Sequence, residues 1–145
     1  MSAGNLHVGG DSLAAFTGRA SFTALLKANI ARQNEIHTEM LTLVNQANVN
    51  GSALRLQKHL PPTGNWKLRW RIRRENTTAH CLWEDIGAEL DDFPMPIRKH
   101  YETVNRRVQE LNQLDMMVQY TIKCCGAFLG QPSRAELLRS KAAFE

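Results

Sequence analysis

The chain has 145 residues and a net charge of +4, with 43% hydrophobic and 22% charged residues. That is the balance of an ordinary globular protein, long enough to bury a core without disulfides or metal. No apolar run approaches membrane-spanning length. Three cysteines, two of them adjacent at Cys124 and Cys125, make no disulfide framework. The first residues lack the basic and apolar regions of a signal peptide. The expected organisation is a single domain over 1–145, and the expected compartment is the reducing cytoplasm.

Residues 1–10 are small and polar, which predicts a flexible start. Ser12 to Phe16 reads as a short helix stopped by Gly18. Ser21 reads as the N-cap of a long helix ending near Ala47, before Asn50 and Gly51. Within it Phe22, Leu26, Asn29, Gln33, Ile36, Met40, Leu43 and Ala47 recur at steps of four and three, a heptad stripe with two polar members. Ser52 to Leu60 is expected to be a short helix, closed by Pro61 and Pro62.

The stretch WKLRWRIRRENTTAHCLW, residues 66–83, alternates with a period of two. Trp66, Leu68, Trp70 and Ile72 share one parity, and Lys67, Arg69, Arg71 and Arg73 the other. Only an extended strand turns this into one apolar and one basic face. Turn formers from Arg74 to Thr78 follow, and then Ala79, Cys81 and Trp83 resume the alternation, so a β-hairpin is predicted over 66–83. Glu84 to Leu90 reads as a brief helical turn. Pro96 suits the first turn of a second long helix, in which Ile97, Tyr101, Val104, Val108, Leu111, Asp115, Val118, Ile122, Cys125 and Leu129 form another stripe. Gly130 to Pro132 ends it, and Ser133 with Glu136 predicts a capped final helix.

Two heptad helices in one chain predict an antiparallel helical hairpin roughly 40 to 50 Å long at 1.5 Å per residue. The fold class is therefore α+β, mainly α, with the basic β-hairpin inserted between the long helices and short helices flanking them. Setting Ala47 beside Ile97 places Phe22 near Ile122, Gln33 opposite Leu111 and Asn29 opposite Asp115. The polar stripe members then fall together, and such a contact fixes register.

Lys67, Arg69, Arg71, Arg73 and Arg74 account for the whole positive excess, so the remaining chain is close to neutral. A local basic ribbon suits phosphate contact, with arginine the favoured donor. The same pattern also serves as a plain solvated face, because Lys and Arg on a strand edge block aggregation. Parity sends the tryptophans to the other side, where they read as core, so phosphate contact should outweigh base stacking. On the second long helix Arg98, Lys99, Arg106 and Arg107 lie off the stripe and read as solvating residues, with Glu102 and Glu110 as partners.

Nothing in the spacing of His7, His37, His59, His80 and His100 repeats a metal-ligand pattern. His80 and Cys81 point to opposite faces of a strand, so they make no nucleophile and base. The Asp91 and Asp92 cluster reads as an exposed loop, and Cys125 as a small core residue. There is no glycine-rich phosphate loop. The chain is expected to be a non-enzymatic binding protein with no metal and no cofactor.

The segments LRWR, LWEDI and IRKHYETVNRRVQELN together resemble small proteins carried by bacterial integrative and conjugative elements, over residues 64–125. The resemblance implies a mobile-element setting and hands over no active site. It leaves two principal partners for the basic hairpin. One is DNA or RNA, alone or in a nucleoprotein complex. The other is a host defence complex, bound by protein contacts in the manner of an anti-CRISPR inhibitor. A structural homodimer or larger homo-oligomer built on the heptad helices is a third reading, and no membrane partner is expected.

Overall fold

The computed structural model describes residues 16–49, 51–62, 66–75 and 77–131. The expectations for residues 1–10, for most of the Ser12 to Phe16 helix and for the final helix after Ser133 lie outside them. The element order is α1 (Gly18–Ala47), β1 (Leu54–His59), β2 (Lys67–Arg74), β3 (Thr77–His80), a 3-10 turn (Trp83–Asp85), α2 (Gly87–Asp91) and α3 (Met95–Gly130). This is the mainly helical α+β class, with Pro96 in the first turn of α3 as expected. Contacts divide the chain into two compact units. One is Gln33–Met117; the other joins the described residues up to Arg32 with those from Val118 on.

In the Gln33–Met117 unit, β2 is the middle strand of an antiparallel sheet of order β1-β2-β3. Its alternation sorts the faces as predicted: Leu68, Trp70 and Ile72 are buried, while Lys67 and Arg73 are exposed and Arg69 and Arg71 half-exposed. The helix expected over Ser52 to Leu60 is instead the strand β1, with Leu54 opposite Ile72 and Leu56 opposite Trp70. So short a helix is marginal by itself. Leu54 and Leu56 share a face only when the chain is extended, and pairing with β2 then buries both. The hairpin alternation also stops early. Ala79 is exposed, and Trp83 belongs to the 3-10 turn, with its ring 5.4 Å from that of Trp70.

The inner face of the sheet is fixed by polar contacts as well as burial. Trp70, only 3% exposed, donates its indole N–H to Oδ1 of buried Asn105 at 2.9 Å. Tyr101 meets the same ring edge-on, and its hydroxyl donates to Oγ of Ser52 at 2.9 Å. Ile36, Met40, Leu43 and Ala47 of α1 and Val104, Val108 and Leu111 of α3 supply buried apolar surface to this unit.

Two asparagines act as substitute strands. Asn48, just past α1, accepts from the Leu56 N–H at 2.9 Å and donates to the Leu56 carbonyl at 3.3 Å. Asn112 of α3 makes the same double contact with Leu68, at 2.9 Å in each direction. A carboxamide has the donor and acceptor pair of a peptide group. Asn48 therefore closes β1 at its outer edge, and Asn112 closes the part of β2 that short β3 does not reach. Unpaired edge groups invite foreign strands and are costly when half-buried.

The helix register differs from the expected one. Nε2 of His37 lies 2.9 Å from Oδ1 of Asp115, Gln33 also bonds that carboxylate, and Arg107 pairs with both Glu39 and Glu110. Asn29 donates instead to the Leu25 carbonyl of its own helix. The observed pairs are displaced from the expected register by two residues at Glu39–Arg107, four at Gln33–Asp115 and eight at His37–Asp115, the last about two helical turns. A heptad stripe marks which face pairs but not how far one helix slides along the other. Burial pushes the Asp115 carboxyl above its usual range, against the opposing pull of His37 and Gln33.

In the other unit Phe22 stacks on Phe128 with ring centres 4.0 Å apart, and Phe16 packs edge-on against Phe22. Gly18, with φ of 72°, opens α1 ahead of Ser21, whose hydroxyl donates to the Thr17 carbonyl and caps nothing. The guanidinium of Arg19 donates to the carbonyls of Leu129 and Gln131, satisfying acceptors orphaned at the end of α3 and opposing its negative pole. Cys125 is buried, as expected.

Truncating Asn112 tests the edge contact. Asn112→Ala removes both part-buried bonds to the Leu68 backbone and is expected to cost about 1 to 3 kcal/mol in urea unfolding. A loss below about 0.5 kcal/mol would mean that water replaces the amide freely.

Candidate nucleic-acid interface

With Leu68, Trp70 and Ile72 held inward, strand geometry gives the opposite parity no choice but to face out. Across the sheet this gathers basic residues into a layer. His59 lies opposite Lys67, Gln57 opposite Arg69, and Arg55 opposite Arg71 on the β1 side. On the β3 side His80 lies opposite Arg71, and Thr78 opposite Arg73. Arg71, at the centre, is thus flanked on both neighbouring strands by basic side chains. Like charges directly opposite each other destabilise a sheet.

Of the five candidate residues, Lys67, Arg69, Arg71 and Arg73 share this face. Arg74 does not. It has the other parity, and its Nη2 reaches Oε1 of Glu89 at 2.9 Å, tying the hairpin end to α2. Among the described residues no carboxylate pairs with Arg55, Lys67, Arg69, Arg71 or Arg73. Arg71 Nη2 donates to the Thr78 carbonyl at 2.8 Å, which fixes the guanidinium over the sheet. Its Nε–H is shielded from solvent and meets no acceptor among the described residues. A shallow depression of about 440 Å³ crosses all three strands, lined by Arg55, Gln57, Arg73 and Thr78 with Asn48 at its rim.

The tryptophans stay on the other side. Trp66 lies between the His37 ring, 4.2 Å away, and Nζ of Lys58, 4.2 Å from its centroid. No Trp, Tyr or Phe occupies an outward position on the described strands. Arg98 lies 3.8 Å from Asp91, and Arg107 is held by its two glutamates, so these helix cations are partnered. Among the described residues no three His, Cys, Asp or Glu side chains come together as a metal site.

Arg55 is the residue that a sequence reading misses, because a short helix over Ser52 to Leu60 leaves it on no particular face. The signal was present in the alternation of Leu54, Arg55, Leu56 and Gln57. Compared with family models, curated proteins and solved structures, the chain gives no match. The resemblance to mobile-element proteins therefore rests on its residues alone.

The field of this face is legible in His59. Desolvation first, and then the charges of Arg69, Lys67, His80 and Arg71, hold its imidazole below the ordinary value of 6.5. Between the lowered value and 6.5 the folded chain binds fewer protons than the unfolded one, so this residue adds stability as pH rises through that window. An NMR titration of the His59 ring is expected to show a midpoint below 6.5 that moves upward in Arg69→Gln. A midpoint unmoved by Arg69→Gln would contradict the charge contribution.

Proposed function

We propose that this protein is a non-enzymatic binding module that grips the phosphate backbone of a nucleic acid, alone or in a nucleoprotein complex, with the outer face of its sheet. The observation that carries the reading is the position of the arginines on the middle strand. Charge on an edge strand guards against aggregation, but Arg71 lies where β2 is paired on both sides, with Arg55 and His80 opposite it, so it answers no such need. Placing Arg71 between Arg55 and His80, with no carboxylate among the described residues to relieve it, makes the sheet less stable than neutral residues would. A polyanionic partner accounts for that arrangement, as it would relieve the repulsion on binding.

The setting we propose is a bacterial mobile element acting in the cytoplasm, on the resemblance of residues 64–125. Among the described residues no helix is long and apolar enough to cross a membrane. Without aromatic side chains on the face, contact is through phosphate, and sequence discrimination is expected to be weak.

Charge reversal tests the reading. Lys67→Glu, Arg69→Glu and Arg73→Glu together leave Arg71, whose guanidinium bonds the Thr78 carbonyl, in place. The variant is expected to keep its circular dichroism and to lose measurable binding to DNA and RNA in fluorescence anisotropy. The wild type, with four or five phosphate contacts, is expected to show a log–log salt slope of about −4. Weak, salt-independent binding by the wild type would overturn the reading and point to a protein target for the same face.

A further inference from the structure

The outer face holds a more specific feature than a basic ribbon. Arg55, Arg71 and Arg73 come from two strands to one region of the sheet. Arg55 and Arg71 are direct cross-strand neighbours, and Arg55 and Arg73 line the same depression with the neutral donors Gln57 and Thr78. Arg71 is already anchored through Nη2 to the Thr78 carbonyl. Its shielded Nε–H has no acceptor within the described chain. Shielded as it is, that N–H is out of reach of an outside oxygen, and an anionic ligand would meet the accessible parts of the Arg55, Arg71 and Arg73 side chains instead.

Resting on the backbone-binding reading above, we infer that the partner is a double helix, with its sugar-phosphate backbone laid across Arg55, Arg71 and Arg73. A single strand is bound tightly by proteins that stack its bases on aromatic rings beside the basic groove. Here the three tryptophans are turned away from the face, Trp66 against His37 and Trp70 against Tyr101 and Trp83. Affinity then depends on how many phosphates the arginines meet. A duplex carries about one charge per 1.7 Å of its axis, counting both strands, against about one per 3.4 Å for each strand, and it releases more counterions per contact. A rigid sheet with one guanidinium anchored also matches a stiff, regular phosphate array better than a flexible chain that must be ordered on binding.

The β1 contribution separates this site from a plain β2 ribbon. Arg55 opposite Arg71 is unfavourable to the free protein, so Arg55→Gln is expected to leave the melting temperature unchanged or raise it. The same change is expected to weaken duplex binding by about three- to tenfold and to flatten the salt slope by about one unit, as one phosphate contact is lost.

The experiment measures anisotropy of a labelled 20-base-pair duplex, and of one of its strands chosen not to self-pair, against wild type and Arg55→Gln. The wild type is expected to bind the duplex at least about tenfold more tightly than the strand. Equal or tighter binding of the single strand would overturn the duplex assignment while leaving backbone recognition standing. An unchanged duplex affinity in Arg55→Gln would remove β1 from the site. A lowered melting temperature in that variant would show Arg55 supporting the sheet, and would overturn its reading as held for a ligand. Failure of wild type to bind either form would take down both this inference and the reading beneath it.

Discussion

The hydrogen bond from the Trp70 indole to Asn105 is the constraint on which the functional surface depends. Trp70 is the central inward residue of the central strand, and its N–H must find an acceptor once buried. Asn105 supplies it from within the buried face of α3. Rotating β2 to its other parity would leave that N–H and that carboxamide both unmet, and would bury a row of arginines. Every outward arginine therefore owes its direction to the inward tryptophan. The contact makes the chemistry of one face a consequence of the packing of the other.

A three-stranded sheet has as many edges as a large one and far less core to stabilise it, so its backbone accounting is demanding. Asparagine side chains from outside the strands carry part of that work. Asn48 lies just beyond α1, and Asn112 lies two helical turns along α3 from Asn105, on a similar face. Both long helices thus lead directly into contacts that set β1 and β2. On the outer face Arg71 bonds the Thr78 carbonyl, and among the described residues no carboxylate pairs with Arg55, Lys67, Arg69, Arg71 or Arg73.

Much of the architecture was legible in the sequence, and what was not has physical causes. From Lys67 to Arg73 β2 places apolar and basic side chains on opposite faces wherever it pairs, so its alternation was decisive. The two stripes were likewise visible, because burial of Ile36, Met40 and Leu43 or of Val104, Val108 and Leu111 follows from helical spacing alone. β1 was only faintly so, because the alternation of Leu54 to Gln57 is short and the segment becomes a strand by meeting β2, a partner that no local window contains. Arg55 was lost with it, and so was half of the cross-strand arginine pair. The roles of Asn48, Asn105 and Asn112 were hidden because an asparagine bonded to a distant backbone looks, in sequence, like any polar surface residue. The slide of one helix past the other was not legible, because His37, Asp115, Glu39 and Arg107 show in sequence that they can form polar pairs but not with whom.

The measurement that bears most directly on the outer face as the contact surface is a titration of isotope-labelled protein with duplex DNA, followed by NMR. The account predicts that the arginine Nε–H signals of Arg55, Arg71 and Arg73 move together with the amides of β1 and β2. The indole N–H of Trp70, bonded to Asn105 on the far side, should stay in place. Shifts concentrated instead on the exposed Met116 and Met117 of α3, with the arginine signals unmoved, would contradict it.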